Sequence, residues 1–183
     1  TLRDLVSGAC DGAMITFDNS INGSAIVLTT GEIVVNKNIT IVGTGVANTI
    51  IDGNNASRIF NLTGGSMTII KLTIRNGRTP GFVSGGGIAN SSSGMSSIDS
   101  CQFISCFATA DGGGIINTAG TLNISRSTFD GNHADYDGGG IRINSGTVSI
   151  SGCTFVNGTT GFSGAGIRKV GGTVTVSNTT ITN

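Results

Sequence analysis

The sequence predicts an all-β fold: a right-handed parallel β-helix, a solenoid of about seven stacked coils with a short N-terminal capping helix. Three observations carry that prediction. First, Gly-Gly-Gly-Ile occurs at Gly85–Ile88, Gly112–Ile115 and Gly138–Ile141, and returns as Gly-Ala-Gly-Ile at Gly164–Ile167. The spacings are 27, 26 and 26 residues. Second, Gly-Thr-x-x-x-Ser follows three of these, at Gly120–Ser125, Gly146–Ser151 and Gly172–Ser177. A Phe or Ile then recurs at Phe103, Phe129, Phe155 and Ile181. Third, glycine makes up 31 of 183 residues, proline occurs once and tryptophan is absent. Ile, Val and Thr are common while helix-favouring Glu, Lys, Gln and Leu are scarce, a balance of strands and turns. A fixed period of this size marks a repeat architecture, in which one unit cannot bury its apolar face alone but a stack can.

Taken along the chain, Leu2, Leu5 and Val6 fall at i, i+3 and i+4 and Gly8 follows. That spacing predicts a short amphipathic helix, with its apolar side laid over the exposed edge of the first coil. Residues 1–25 form this cap and the first strand, with Met14–Phe17 beginning the first coil; residues 26–183 form the coils of a single domain. Met67, Ile69, Leu72 and Ile74 match Leu122, Ile124, Ser127 and Phe129 in spacing. Ile33, Val35, Ile39 and Ile41 match with one extra residue, and Ile59 takes the place of the glycine-motif Ile. Within a repeat, inward Leu122 and Ile124 alternate with outward Thr121, Asn123 and Ser125. The odd step from Ile124 to Phe129 breaks that alternation and predicts a bend between two strands. A period near 26 then holds three short strands, with Ile88, Ile115, Ile141 and Ile167 stacked in one column. The glycine triplets read as tight turns. A phosphate cradle is the lesser reading, because each triplet is followed by a strand and carries no P-loop Lys-Ser/Thr.

Thr-Leu-Arg-Asp at 1–4, Ile-Thr-Phe at 15–17, Ile-Asp-Gly-Asn-Asn at 51–55 and the Gly-Gly-Gly-Ile repeats together resemble secreted bacterial β-helix proteins. These have the pectin-lyase-like fold and repeats like those of polymorphic outer-membrane proteins, which pair Gly-Gly-Ala/Gly-Ile with Phe-x-x-Asn. Phe129–Asn132 matches the second element, while Phe103–Cys106 and Phe155–Gly158 depart from it. The resemblance spans nearly the whole chain. It implies an extracellular or cell-surface protein, part of a larger surface molecule and often adhesive. Fold by itself does not fix function.

Net charge is zero, with ten basic and ten acidic residues. That balance gives no electrostatic reason to seek nucleic acid or an anionic membrane, and no apolar run has the length of a membrane span. Polysaccharide lyases on this fold would need clustered acidic calcium ligands and a base; hydrolases would need paired carboxylates. No two acidic residues are adjacent on one strand, and the Asn-Thr-Asp, Asp-Asp and Gly-His motifs of polygalacturonase relatives are absent. The expectation is a non-catalytic chain with no obligatory cofactor.

The best acidic group is Asp111, Asp135 and Asp137. Asp111 and Asp137 each precede a glycine triplet and so stack one coil apart, which makes Ca2+ a candidate ligand; a solvated turn ladder is the competing reading. Arg142 and Arg168 stack in the same way, as an anion site or as separate solvated side chains. His133, the one histidine, reads as a turn residue. Cys101 and Cys153 share a column two coils apart, about 9.6 Å, too far for a disulfide. A Cys101–Cys106 bridge stays open, and Cys10 sits by the cap. Asn-x-Ser/Thr triplets offer glycosylation candidates at Asn22, Asn38, Asn55, Asn61, Asn90, Asn123, Asn157 and Asn178. The hydroxyl-rich face from Thr121 to Ser177, interrupted upstream by Met95 and Asp99, suits glycan or ice contact or plain solvation. The last coil stops within its strand pattern, which fits either a longer solenoid or head-to-tail self-stacking into fibres.

Overall fold

The computed structural model describes residues 1–182; Asn183, the last residue of the expected coil region, lies outside them. The chain winds through stacked, all-parallel sheets. The first sheet stacks Ala13–Thr16, Ile39–Val42, Met67–Ile70, Met95–Asp99, Thr121–Ser125, Thr147–Ser151 and Thr173–Ser177. The second stacks Ala25–Val27, Ile50–Asp52, Thr73–Arg75, Gln102–Ile104, Thr128–Asp130, Thr154–Val156 and Thr180–Ile181. The third stacks Ile33–Val35, Phe60–Leu62, Ile88–Asn90, Ile115–Asn117, Ile141–Ile143 and Ile167–Lys169. The third sheet has six strands where the first two have seven, so there are about six turns and not seven. The later coils also add a fourth side, with Phe107–Ala108, His133–Ala134 and Thr159–Thr160 paired in register. The expectation of three strands per coil therefore holds only for the early turns.

Each bend has a local cause. In the last five crossings from the first sheet to the second, one residue turns left-handed: Lys71, Ser100, Arg126, Gly152 and Asn178. A single residue of positive φ reverses the inside–outside alternation without lengthening the loop, which accounts for the odd step from Ile124 to Phe129. At the glycine triplets the constraint is space. A Cβ on Gly113 would lie 2.3 Å from the carbonyl oxygen of His133, because the fourth-sheet strand passes directly against it. Gly114 clears the flat side of the Phe129 ring, 3.1 Å from where its Cβ would be.

The core is a set of columns along the solenoid axis. Phe103, Phe129 and Phe155 are fully buried and stack with ring centroids 4.7 and 4.6 Å apart and planes within 7°. That separation is the strand spacing itself, so each ring is carried into register by its backbone. Ile88, Ile115, Ile141 and Ile167 form the expected second column. Upstream the alignment shifts. Ile39 and Ile41 pair with Met67 and Ile69, while Ile33 and Val35 belong to the third sheet, opposite Phe60 and Leu62. Phe60, and not Ile59, aligns with Ile88. The early turns vary in loop length, so spacing alone misplaced them by one strand.

The N-terminal helix, α1 (Leu2–Gly8), is fixed by a capping box between Thr1 and Asp4 and packs against Ile33–Val35. Leu2 and Val6 are buried, whereas Leu5 is exposed, so the apolar stripe is narrower than its spacing suggested. The Lys37 ammonium donates to the carbonyls of Ser7 and Ala9 at 2.8 and 2.9 Å, satisfying acceptors that the helix end leaves open. The Arg3 guanidinium donates to the carbonyls of Gly31 and Glu32.

Candidate functional site

The Asp and Arg ladders expected as two separate features are one. Arg142 reaches from the third sheet to the turns that precede the triplets. Its Nη1 bonds the Asp111 carboxylate and lies 3.2 Å from Asp137 Oδ2. The Arg168 Nε is 3.6 Å from the same Asp137 oxygen. The Asp137 N–H donates to Asp111 Oδ1, and the Ser163 N–H donates to Asp137 Oδ1. A guanidinium therefore bridges two of the carboxylates that the sequence offered as candidate calcium ligands. Asp135 is not in this group: its carboxylate is 3.1 Å from His133 Nε2. Among the described residues no group of three or more His, Cys, Asp or Glu is placed to hold a metal ion. Sequence reading put both ladders in register but not on facing positions, because the turn that brings Arg142 across to Asp111 has no sequence signature.

Other carboxylates are used in the same way. Glu32 pairs with Arg58 at 3.1 Å, and Arg58 also donates to the carbonyls of Ser84 and Gly85 in the next coil. Burial pulls the Arg58 guanidinium below its ordinary range, against the pull of Glu32. Asp52 accepts from Arg75 at 2.7 Å, from Asn76 and from the Asn54 N–H. Burial pushes its carboxyl up, but these bonds outweigh it and hold it below its usual range. Asp99 is lowered likewise, with burial outweighed by Ser125 and Arg126.

Neutral amides tie coils together too. Asn132, the one match to Phe-x-x-Asn, is buried; it accepts from the Cys106 N–H at 3.0 Å and donates to the Phe103 carbonyl at 2.9 Å. Asn90 is also buried, with its amide nitrogen 2.7 Å from Asn117 Oδ1, so no glycan fits there in the folded chain. The Asn38, Asn61 and Asn157 amides donate to Asp11, Glu32 and Asp130. Asn55 and Asn178 sit at left-handed turns, Asn22 accepts from the Thr44 hydroxyl, and Asn123 lies on the outer face of the first sheet.

All four cysteines are free, so Cys101 and Cys106 do not form the bridge left open by the sequence. Each buried thiol faces backbone carbonyls, Cys101 those of Ile69 and Asp99, Cys106 those of Ile74 and Ile104. Burial pushes Cys101 up to about 11 and Cys106 up to about 12, and raises Cys153.

The feature that sequence reading missed is a ridge of aromatic side chains. Of the eight Phe and one Tyr, Phe60, Phe103, Phe129 and Phe155 are buried and Phe17 packs on the core. The other four gather on the fourth sheet, which carries Phe107, and on the turns beside it. Phe82 and Phe162 are 73% and 72% exposed, yet both touch Tyr136: Phe82 edge-on at 4.9 Å and Phe162 stacked at 5.3 Å. Beside them Phe107 stacks on His133 at 4.9 Å, with the Arg78 guanidinium 4.3 Å from the Phe107 centroid. His133 Nδ1 is 2.7 Å from the Thr159 hydroxyl. The backbone beneath is laddered, Ala110 to Val83, Tyr136 to Ala110 and Phe162 to Tyr136. Ala110, opposite Tyr136 in that ladder, leaves the room that Phe82 enters. The signal was present: Val83, Tyr136 and Phe162 each stand two residues before a triplet.

Compared with protein-family models, curated proteins and solved structures, the chain matches none.

Proposed function

We propose that this chain is a non-catalytic, extracellular adhesive module: a rigid solenoid that presents a lateral surface to a ligand at the cell surface. The observation that carries the reading is the use made of its charges. Glu32, Asp52, Asp99, Asp111 and Asp137 are each engaged by an arginine of their own or a neighbouring coil. Carboxylates held this way serve stacking, and arginine partners oppose the protonated form that a general acid needs. The resemblance of the repeats to those of secreted surface proteins supports the same reading. The test is retention of the purified chain on columns of immobilised polysaccharides and of cell-wall material, with product release followed in the same fractions. The reading predicts retention with no new reducing ends and no unsaturated uronides. Release of either product, or passage through every column, would overturn it.

A further inference from the structure

We propose that the aromatic ridge of Phe82, Tyr136 and Phe162, flanked by Phe107, His133 and Thr159, is the ligand-binding strip of this module, and that its ligand is an uncharged polysaccharide. The inference rests on the adhesive reading and adds to it a place and a chemistry.

Every aromatic side chain outside the core lies on this one ridge, where water gains nothing from them. Tyr and Arg are among the side chains that concentrate binding energy at interfaces, and Tyr136 and Arg78 both lie in this patch. The rings are held before any ligand arrives. Tyr136 touches both neighbours, and the turns beneath are fixed by the backbone ladder and by Thr79 and Thr109, whose hydroxyls bond Val83 and Gly81. A preformed strip loses little conformational freedom on binding.

Width and charge choose the occupant. The ridge is one side chain wide and spans the coils of Phe82 to Phe162, roughly 15 Å at about 4.8 Å per coil. That falls well short of the roughly 800 Å² per partner that a stable protein–protein contact needs. A polysaccharide is equally narrow. The C–H faces of its pyranose rings carry partial positive charge and meet the negative faces of aromatic rings. Phe162 turns one face to Tyr136, and among the described residues no ring covers the other. Nearby, Asp137 is neutralised by Arg142, and the two remaining charges, Arg78 over the Phe107 ring and Asp135 beside His133, are of opposite sign and sum to zero. With no net charge the strip does not favour a uronide, while the Thr159 hydroxyl and the Asp135 carboxylate keep acceptor capacity for sugar hydroxyls.

The test is affinity electrophoresis through gels containing a neutral β-glucan, a mannan or polygalacturonate. The variants are the double substitution Phe82→Ala/Phe162→Ala and, as control, Met14→Ala/Met95→Ala, which removes exposed apolar side chains from the first sheet. Circular dichroism melts confirm that both fold. The wild type is expected to be retarded by a neutral polymer, equally at low and high salt. Apparent affinity should fall at least about tenfold in the ridge variant and stay unchanged in the control. Undiminished retardation of the ridge variant would overturn the inference, as would retardation by polygalacturonate alone. So would a dimer, seen by sedimentation, that the ridge variant abolishes, since that would give the strip to a second copy. A chain that adheres to cell-wall material but ignores all three polymers loses this inference and keeps the adhesive reading; one that adheres to nothing loses both.

Discussion

At the scale of single residues, many polar side chains of this protein bond across coils. Arg142 is the clearest case, closing the gap between two carboxylates stacked one strand spacing apart. Arg142→Met should leave Asp111 and Asp137 facing each other unneutralised and cost about 2 kcal/mol in urea unfolding, less than a fully buried pair because the site is partly wet. Adding Asp111→Asn and Asp137→Asn should restore most of the loss; a triple variant no better than Arg142→Met would show that the guanidinium acts by packing alone. The thiols give a second check. Cys10 is exposed while Cys101, Cys106 and Cys153 are buried with raised pKa, so a thiolate-specific reagent should label one cysteine quickly in the native chain and all four after unfolding. Fast labelling of two or more would contradict the packing described. A Cβ on Gly152 would meet only Arg126, at an ordinary 3.9 Å, but its φ is +62°. Gly152→Ala should therefore lower stability by about 1–2 kcal/mol through conformation alone, read from a thermal melt.

At the scale of elements, legibility followed repetition. The last four coils repeat so closely that the Gly-Ile and Phe columns could be placed from sequence, and the structure puts Phe103, Phe129 and Phe155 in one stack. Upstream, loops of unequal length moved Ile33 and Val35 from the first sheet to the third, because the apolar pattern of a three-residue strand reads the same on any side. The fourth sheet escaped notice because two-residue strands such as His133–Ala134 have no periodicity. The aromatic ridge escaped for a different reason: an apolar residue before a turn gives no sign of its exposure. The cap was legible as a helix, but Leu5 shows that only Leu2 and Val6 do the covering. Since solenoid coils contact only their neighbours, damage at α1 should stay local. Val6→Asp should speed hydrogen exchange at Ile33–Val35 and Ala13–Thr16 and leave Thr121–Ser125 protected. Uniform acceleration would mean that the turns unfold as one unit.

At the scale of the whole molecule, one set of turns carries two kinds of side chain next to each other. Asp111 and Asp137, just before the triplets, spend their charge on stacking, while Tyr136 and Phe162, one residue earlier than Asp137 and Ser163, expose rings that stacking leaves partly uncovered. That division of roles is the central claim: the ladder stabilises and the ridge binds. It is tested most directly by retention on one immobilised neutral polysaccharide of two folded variants, Asp111→Asn/Asp137→Asn/Arg142→Met and Phe82→Ala/Phe162→Ala. The account predicts that the ladder variant is retained like the wild type and that the ridge variant elutes unretained with its melting temperature intact. Loss of retention in the ladder variant, with the ridge variant still bound, would contradict it.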